Sequence, residues 1–331
     1  MESFKEQWLA LHHITPDATA FQGFDFNHAW WKLNQADGRL NILAFGSKKK
    51  LDFILPVCLN GKGEMKFLQS GLVDYLDILY NPDTNLHQVF SKIREYLEQN
   101  NEINKLVLNN IRSTSPLIHF LPAYFQKERF YCLQHDLYSK LPYTLMSGDK
   151  FLSHLRSSQV RGLKKVDKNL QTSAEIIEKG HSRFPTTIIE TLIDRMVEND
   201  TREKEVYEPQ LALMQEMYEQ DAIFFIAQKD AGDQYVSITA LVRLNPDTVM
   251  AWMSVYDPKI KMSNLKNYLH VIRYCHANHL NFDFGTGLYK YKLQNFSPEI
   301  GSLFSFYYYK KPLPFIYYFL RKTIAKALRI I

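Results

Sequence analysis

Two stretches of the sequence carry residue types that bind phosphates. Within a predicted helix in residues 148–170, four cations at i, i+3, i+4 and i+7 would share one face: Arg161, Lys164, Lys165 and Lys168. Further along the chain, Lys259 and Lys261 come shortly before a predicted helix with Ser263 as its N-cap. Free N–H groups at a helix N-terminus attract anions, and the two lysines would add positive charge there. A basic helix face is commonly just solvated, so both interpretations of the first stretch stay open.

A different pattern combines carboxylates with a tyrosine. Asp74 and Asp77 flank Tyr75 and Leu76, and two carboxylates beside a phenol could bind an acceptor substrate. The same residues are also typical of a solvated loop, and the sequence leaves both interpretations open.

Two kinds of catalytic site are disfavoured. The sequence shows neither a Ser-His-Asp order nor a Gly-x-Ser-x-Gly elbow, which argues against a hydrolase. Cys275, His276 and His279 lie within one predicted helix, but they lack the second ligand pair that a zinc site needs. We therefore predict no metal.

The elements that would position these groups are densest in residues 248–296. The order is strand, loop, helix with one apolar face, second strand, glycine turn and short helix. Asp283 precedes the glycine turn, where it is either a reactive carboxylate or a turn-capping residue. The predicted bounds are Thr248–Val255 for the first strand, Ser263 for the start of the helix, Asn281–Phe284 for the second strand, and Gly285 and Gly287 for the turn.

The same order of elements occurs earlier in the chain. Tyr80 and Tyr256 each end a predicted strand and each precede a helical pattern, and 28 residues separate Tyr80 from Leu108, as they separate Tyr256 from Phe284. Matching hairpins come before both stretches. Short α/β segments can resemble one another by chance, but the shared order favours two copies of one α/β unit. We predict domains over residues 1–145 and 146–312.

Composition indicates a globular protein. The 331 residues are 46% hydrophobic and 23% charged, which suits two domains that each bury a core. The net charge of +5 suits a polyanionic ligand or a membrane surface and is far from that of a DNA-binding protein. Three widely spaced cysteines predict free thiols in a reducing compartment. With no secretory signal at the N-terminus, we expect a cytoplasmic protein.

The predicted tail, residues 313–331, is amphipathic and basic. Ile316, Leu320, Ile324 and Leu328 line one helical face, while cations occupy most of the remainder. Such a helix can lie on an anionic membrane surface, here the inner face of the membrane, or it can pack on the protein or on a second copy.

Together these motifs resemble the GNAT acyltransferase superfamily. The resemblance is to tandem-GNAT proteins of cellulose and exopolysaccharide biosynthesis and to their relatives, the Fem-type peptidyltransferases. It departs from the usual GNAT pattern in the loop 257–265, which has no glycine. The motifs that carry it are the basic helix SSQVRGLKKVDKNL, the D-Y-x-D element at Asp74–Asp77, the Tyr256-Asp257-Pro258 strand end, and the series Asp283, Gly285, Gly287, Tyr291, Lys292 and Phe296.

The resemblance implies a fold of two tandem GNAT-like units, each a mixed, mostly antiparallel sheet flanked by helices. It implies direct transfer of an acyl group from acyl-CoA to an amine or hydroxyl of a sugar or polysaccharide precursor. Tyr256 would be the acid for the leaving thiolate, Asp283 the base or an acceptor ligand, and Tyr291 a further catalytic contact. The implied donor contacts are Ser254, Val255, Lys259, Lys261, Ser263, Asn264 and Lys292; the implied acceptor contacts are Asp74, Tyr75, Arg161 and Lys165.

Two other functions stay open at this point. A Fem-like enzyme would take its aminoacyl group from an aminoacyl-tRNA. A catalytically silent GNAT-like module would bind a partner enzyme or a glycan.

Overall fold

The chain, in a computed structural model, is described over residues 1–47, 50–125, 129–146, 153, 155–199, 203–312, 316–317 and 320. It divides into two compact units. Unit 1 comprises Met1–Asp136 and Ser302–Ile331, and unit 2 comprises Leu137–Gly301. Most of the predicted tail, including residues 321–331, lies outside the described residues, so its membrane role stays a prediction.

Unit 1 contains two small sheets. One is antiparallel, in the order β2–β3–β6, and the other has the order β1–β4–β5–β7, in which β5 and β7 are parallel. The helices are α1 (Lys5–Ile14), α2 (Phe24–Leu33), α3 (Leu86–Gln99) and α4 (Leu117–Tyr124); the strands are β1 (Arg39–Leu40), β2 (Leu43–Gly46), β3 (Leu51–Leu55), β4 (Val57–Leu59), β5 (Glu64–Phe67), β6 (Leu79–Tyr80) and β7 (Lys105–Arg112).

Unit 2 is built on one sheet in the order β8–β13–β12–β11–β10–β9. Its β12 and β13 are parallel, and its other neighbours pair antiparallel. The chain enters through β8 (Phe130–Leu141) and leaves through β14 (Glu299–Tyr309); between them come α5 (Ser157–Asn169), β9 (Ser173–Ile177), α6 (Thr186–Glu198), α7 (Glu208–Glu219), β10 (Ile223–Lys229), β11 (Tyr235–Asn245), β12 (Thr248–Tyr256), α8 (Ser263–Ala277), β13 (Asn281–Thr286) and α9 (Lys290–Phe296).

The boundaries of the units differ from the predicted domain ranges. Residues 302–309, which the sequence assigns to the second domain, belong to unit 1 because Leu303–Tyr309 of β14 pairs with β7. Strand pairing of this kind is non-local, and chain order alone does not reveal it.

Each unit has its own apolar core. In unit 1, Trp8 and Leu11 of α1 pack with Ile54 of β3 and Leu79 of β6. In unit 2, the apolar face of α8 packs on the sheet, and the buried residues include Leu265, Leu269, Ile272, Ile226 and Leu241. The periodicity of apolar residues in the sequence predicts which face of these elements is buried, and these faces are buried in the structure.

The internal repeat is present in the structure. Tyr80 is the last residue of β6 and Tyr256 is the last residue of β12, and each strand is followed by a helix and then by β7 or β13. In each unit, three parallel residue pairs join strands of the sheet: Glu64–Lys66 of β5 with Lys105–Val107 of β7, and Thr248–Met250 of β12 with Asn281–Asp283 of β13. Unit 1 thus divides between β5 and β6 what unit 2 has in the single strand β12. The predicted fold, two tandem α/β units with mixed, mostly antiparallel sheets flanked by helices, is confirmed.

Candidate functional site

The strands β12 and β13 diverge in the middle of the unit 2 sheet. Their parallel pairing covers three residue pairs and ends at Met250 and Asp283. Beyond Met250, β12 continues to pair with β11 up to Tyr256, while Thr286 of β13 pairs with Tyr138 of β8. Residues 251–256 therefore border a gap in the sheet, and among them Ser254 and Tyr256 are half-buried while the others are buried.

Four hydroxyl groups form a connected chain at this gap, which we call the hydroxyl chain. Thr239 Oγ1 lies 2.9 Å from Ser254 Oγ, and Ser254 Oγ donates to Tyr268 Oη at 3.2 Å. Tyr291 Oη donates to the same Tyr268 Oη at 3.2 Å, and the two rings stack with centroids 5.8 Å apart. The hydroxyl chain thus connects β11, β12, α8 and α9.

Burial keeps the phenols of this chain protonated. It is the main cause that raises the pKa of Tyr268 and the pKa of Tyr291 above the ordinary value of a phenol. Neighbouring phenols also disfavour the charged forms. At neutral pH both side chains therefore keep their protons and can donate hydrogen bonds.

Tyr256 ends β12 next to this chain. It is half-buried, and its register partner on β11 is Ser237. Tyr256 lies close enough to raise the pKa of both Tyr268 and Tyr291 electrostatically. The structure therefore brings two of the predicted catalytic residues, Tyr256 and Tyr291, and one predicted donor contact, Ser254, to one place.

Tyr268 and Thr239 are the residues of this cluster that the sequence analysis missed. Tyr268 lies on the apolar face of α8, where a tyrosine is ordinarily a core residue. The available signal was its position near the start of the helix that follows β12. Its two hydroxyl partners come from β12 and α9, so the sequence alone could not identify them.

The loop between β12 and α8 is shaped by Asp257. This buried carboxylate accepts from Arg195 Nη1 at 3.0 Å and from the N–H of Lys259 at 2.9 Å. The backbone carbonyl of Asp257 accepts from the Ile260 N–H at 3.1 Å and from Ser263 Oγ at 3.3 Å. Ser263, which the sequence predicts as the N-cap, is instead the first residue of α8. The observed N-cap is Met262, whose φ is 69°.

The N-terminus of α8 has no side-chain cap, whereas Asn85 caps the equivalent helix α3 by accepting from the N–H of Gln88 at 3.2 Å. Asn264 Oδ1 is also buried there, without a hydrogen-bond partner among the described residues. Lys259 and Lys261 are exposed nearby, with Lys259 Nζ 3.8 Å from Glu198. These features would suit an anionic or amide-bearing ligand.

Asp283 and Lys292 close the glycine turn after β13. Asp283 Oδ1 accepts from the N–H of Gly285 at 2.7 Å, the turn-capping contact that the sequence left open. Lys292 Nζ donates to the carbonyls of Phe284 at 2.8 Å and Thr286 at 3.0 Å. Both side chains are at least 95% buried, so a role as base or donor contact would require them to give up these bonds.

The predicted acceptor contacts are distributed over both units. In unit 1, Tyr75 is 1% exposed and its ring lies against the guanidinium of Arg112, so its phenol ring is a core group. Asp74 in the same element is half-buried. In unit 2, Arg161 and Lys165 are exposed on α5, as the solvated interpretation of that helix predicts.

An ion-pair cluster connects α5 to α8. The ammonium of Lys266, which is 4% exposed, pairs with the carboxylate of Asp167, and Arg273 Nη2 lies 2.9 Å from the same carboxylate. The hydrogen bond from Lys266 is the main cause that lowers the pKa of Asp167. The cluster fixes α8, which carries Tyr268, against its neighbour.

The described ranges contain no group of three or more His, Cys, Asp or Glu side chains placed to hold a metal ion. No helix in these ranges is long and apolar enough to cross a membrane. All three cysteines are unpaired.

The sequence matches no protein-family model and no curated protein. Solved structures do resemble it. FemX has a TM-score of 0.63 at 10% identity, over 94% of this chain and 97% of that one. L-PGS from Bacillus licheniformis has a TM-score of 0.61 at 10% identity, over 92% of each chain. A tandem GNAT protein from the clavulanic acid biosynthesis pathway has a TM-score of 0.50 at 11% identity, over 94% and 96%.

These similarities extend over nearly the whole of each chain. At such low identity they establish the fold and nothing further. The chain has the fold of tandem GNAT proteins, and β12, α8 and β13 are the strand, helix and strand around its gap.

Proposed function

We propose that this protein is a transferase that moves an acyl group from an activated donor to an amine or hydroxyl acceptor, with the donor bound in unit 2. The observation that carries the proposal is the gap between β12 and β13, bordered by Tyr256, the hydroxyl chain and the uncapped start of α8. A donor lying along residues 254–256 would have its carbonyl near phenolic O–H groups and its anionic part near α8. Positioning of this kind supplies much of the rate in a direct transfer.

The reaction needs no covalent enzyme intermediate. The acceptor nitrogen or oxygen attacks the donor carbonyl, and the bond from that carbon to the leaving atom breaks. Tyr256 donates its phenolic proton to the leaving atom, and the proton of the acceptor passes to a base and from there to solvent. Asp283 remains our proposal for the base; it would have to exchange its bond to Gly285 for one to the acceptor. Tyr291 and Tyr268 hold the gap in shape and donate hydrogen bonds.

Acyl-CoA is the first donor to test. Lys259 and Lys261 lie where phosphates would approach the start of α8, and Ser263 and Asn264 begin that helix. Ser254 and Val255 border the gap, where a thioester arm would run. Of the predicted donor contacts, Lys292 is best assigned to the glycine turn, because its ammonium already bonds to β13 carbonyls.

A second candidate donor is an aminoacyl-tRNA. The loop 257–262 has no glycine and is held by the contacts of Asp257, so it departs from the usual GNAT loop that would take a pyrophosphate. The similarity of fold to FemX and L-PGS agrees with this candidate, since Fem-type enzymes transfer aminoacyl groups. A sugar or polysaccharide precursor as acceptor remains an expectation from the sequence resemblance alone.

Thermal shift with millimolar acetyl-, succinyl- and longer acyl-CoA tests the donor. Binding should raise the midpoint, and thiol release with a panel of amine and amino-sugar acceptors should then measure turnover. Because removal of a proton-transfer group typically lowers the rate by about 10²–10⁴-fold, Tyr256→Phe should reduce turnover far more than donor affinity. Tyr289→Phe is the matched control, because Tyr289 is 52% exposed.

Three results discriminate between the candidates. No stabilisation by any acyl-CoA, with transfer from a charged tRNA, would replace the first donor with the second. No transfer from either donor, with intact folding, would favour a silent binding module. Equal turnover of Tyr256→Phe and Tyr289→Phe would remove Tyr256 from the proton transfer.

A further inference from the structure

A small cavity lies in unit 1 beside the D-Y-x-D element. Its volume is about 30 Å³, and its polar lining residues are Asp17, Asp77, Tyr80, Thr114 and Ser115. A void of roughly 10–15 Å³ is enough for one water molecule. The cavity therefore has room for one small polar group, such as an ammonium, and is too small for a planar guanidinium with its stem.

Asp77 is held with one oxygen engaged and the other available. Its Oδ1 accepts from the N–H of Ile78 at 2.8 Å and from Ser115 Oγ at 2.7 Å. Ser115 is itself 2% exposed, so this contact is well shielded. Asp77 Oδ2 has no hydrogen-bond partner among the residues that the structure describes. The protein thus fixes the carboxylate and leaves half of its acceptor capacity unused.

The charges around the cavity are unbalanced. Asp17 contributes a second carboxylate, and the guanidinium of Arg112 donates to the Asp17 carbonyl. Burial, followed by the nearby carboxylates of Asp77 and Asp17, raises the pKa of Tyr80, so its phenol is neutral. With Asp77 ionised, two negative groups face one positive group. One further cation would neutralise the set.

The state of Asp77 agrees with this imbalance. Burial raises the pKa of its carboxyl to about 6, against the hydrogen bonds from Ser115 and Ile78 and the charge of Arg112, which lower it. A carboxylate that is desolvated to this extent gains from a bound cation.

We propose that this cavity binds the primary ammonium group of a ligand, with Asp77 Oδ2 as its acceptor and with Asp17 and Tyr80 beside it. An ammonium has three donors and no acceptor, which matches a lining of carboxylate and hydroxyl oxygens. The inference goes beyond the proposed function and does not depend on it, because the cavity and all its lining residues lie within unit 1. Neither Asp74 nor Tyr75, the contacts predicted from the sequence, lines this cavity.

Ligand-observed NMR on the full chain, without any donor, tests the site. Methylammonium and n-butylammonium should bind with dissociation constants on the order of 1 mM, and 1-butanol should not bind. Asp77→Asn should weaken ammonium binding at least ~10-fold, since it removes the charge. Its amide oxygen can still accept from Ile78 and Ser115, so the variant should fold. Asp83→Asn, at an exposed carboxylate outside the cavity, is the control.

The pH profile of the unmodified chain is a second measurement. A carboxyl with a pKa of about 6 is only about one-tenth ionised at pH 5, so ammonium binding should be ~10-fold weaker at pH 5 than at pH 7.5. Asp17 and Tyr80 also line the cavity, and Arg112 bonds to the Asp17 carbonyl beside it. Of these groups, the neutral phenol and the guanidinium do not titrate in this range. Equal binding by the Asp77→Asn variant, or a flat profile, would overturn the inference.

The failures of the two proposals can be distinguished. Amine binding that depends on Asp77, without transfer from any donor, would leave this site standing and remove the transferase. Transfer that depends on Tyr256, without amine binding in unit 1, would do the reverse.

Discussion

Replacing Asp77 by asparagine should change how the stability of unit 1 depends on pH. Burial raises the pKa of this carboxyl from 3.8 to about 6. The native state therefore binds a proton more tightly than the unfolded state does. Between pH 4 and 6 the native chain carries more protons, so the free energy of unfolding falls as pH rises. Above about pH 6.5 the ionisation of Asp77 lowers the free energy of unfolding no further.

The magnitude follows from the difference in pKa. A shift from 3.8 to about 6 is roughly 2 units, and each unit is worth about 1.4 kcal/mol, so the ionised Asp77 destabilises the fold by at most about 3 kcal/mol. Asparagine cannot ionise, and its amide oxygen keeps the acceptor for Ser115 and Ile78. The variant should thus gain stability over the parent by up to about 3 kcal/mol between pH 4 and pH 8.

Urea unfolding at one-unit steps from pH 4 to pH 8 measures this difference. Tryptophan fluorescence suits the experiment, because Trp8, Trp30 and Trp31 are in unit 1 and Trp252 is in unit 2. The quantity to compare is the change in the stability difference with pH, which does not depend on any constant effect of the substitution. A difference that stays flat within about 0.5 kcal/mol, or one that Asp83→Asn reproduces, would refute the reasoning.

Two further substitutions each test local contacts inside one unit. Lys292→Met should lower the free energy of unfolding of unit 2 by about 3 kcal/mol, because the β13 carbonyls of Phe284 and Thr286 lose their charged donor. Urea unfolding measures this difference, and a loss below about 0.5 kcal/mol would contradict the contacts. Gly63→Ala should destabilise unit 1 by about 1–3 kcal/mol, since φ is +72° and a Cβ would lie 2.5 Å from the Glu102 carbonyl oxygen. Gly61→Ala is its control, with open space around the added Cβ. Equal thermal midpoints of the two alanine variants would show that the backbone there can adjust.

The repeat could be predicted from the sequence because it depends on local patterns of residue types. Strand, helix and turn each follow from residue types within about fifteen positions, and the 28-residue spacing of Tyr80 and Leu108 recurs at Tyr256 and Phe284. The structure places both tyrosines at the ends of equivalent strands. Local order was sufficient because each unit buries the apolar faces that its own segments create.

The contacts within the candidate site could not be predicted in the same way. Asp283 and Lys292 fit a family motif, yet their partners are backbone groups of one turn, and no pattern of residue types specifies such partners. Tyr268 has the spacing of a core residue, and the register of β11 against β12 places Thr239 opposite Ser254, whose hydroxyl donates to that of Tyr268. The register between strands is set by packing between distant segments. The periodicity of apolar residues in a single sequence does not reveal it.

The two copies of the unit have diverged at corresponding places, and the divergence argues for different tasks. In unit 2 one strand, β12, runs unbroken to Tyr256, and the following helix starts without a side-chain cap. In unit 1 the equivalent strand is split into β5 and β6 by residues 68–78, and Asn85 caps α3. The cap occupies the donors that an anion would use in unit 1, while the inserted residues bring Asp77 to a cavity that suits a cation. These differences favour an activated, anionic donor in unit 2 and, separately, a ligand ammonium group in the cavity of unit 1.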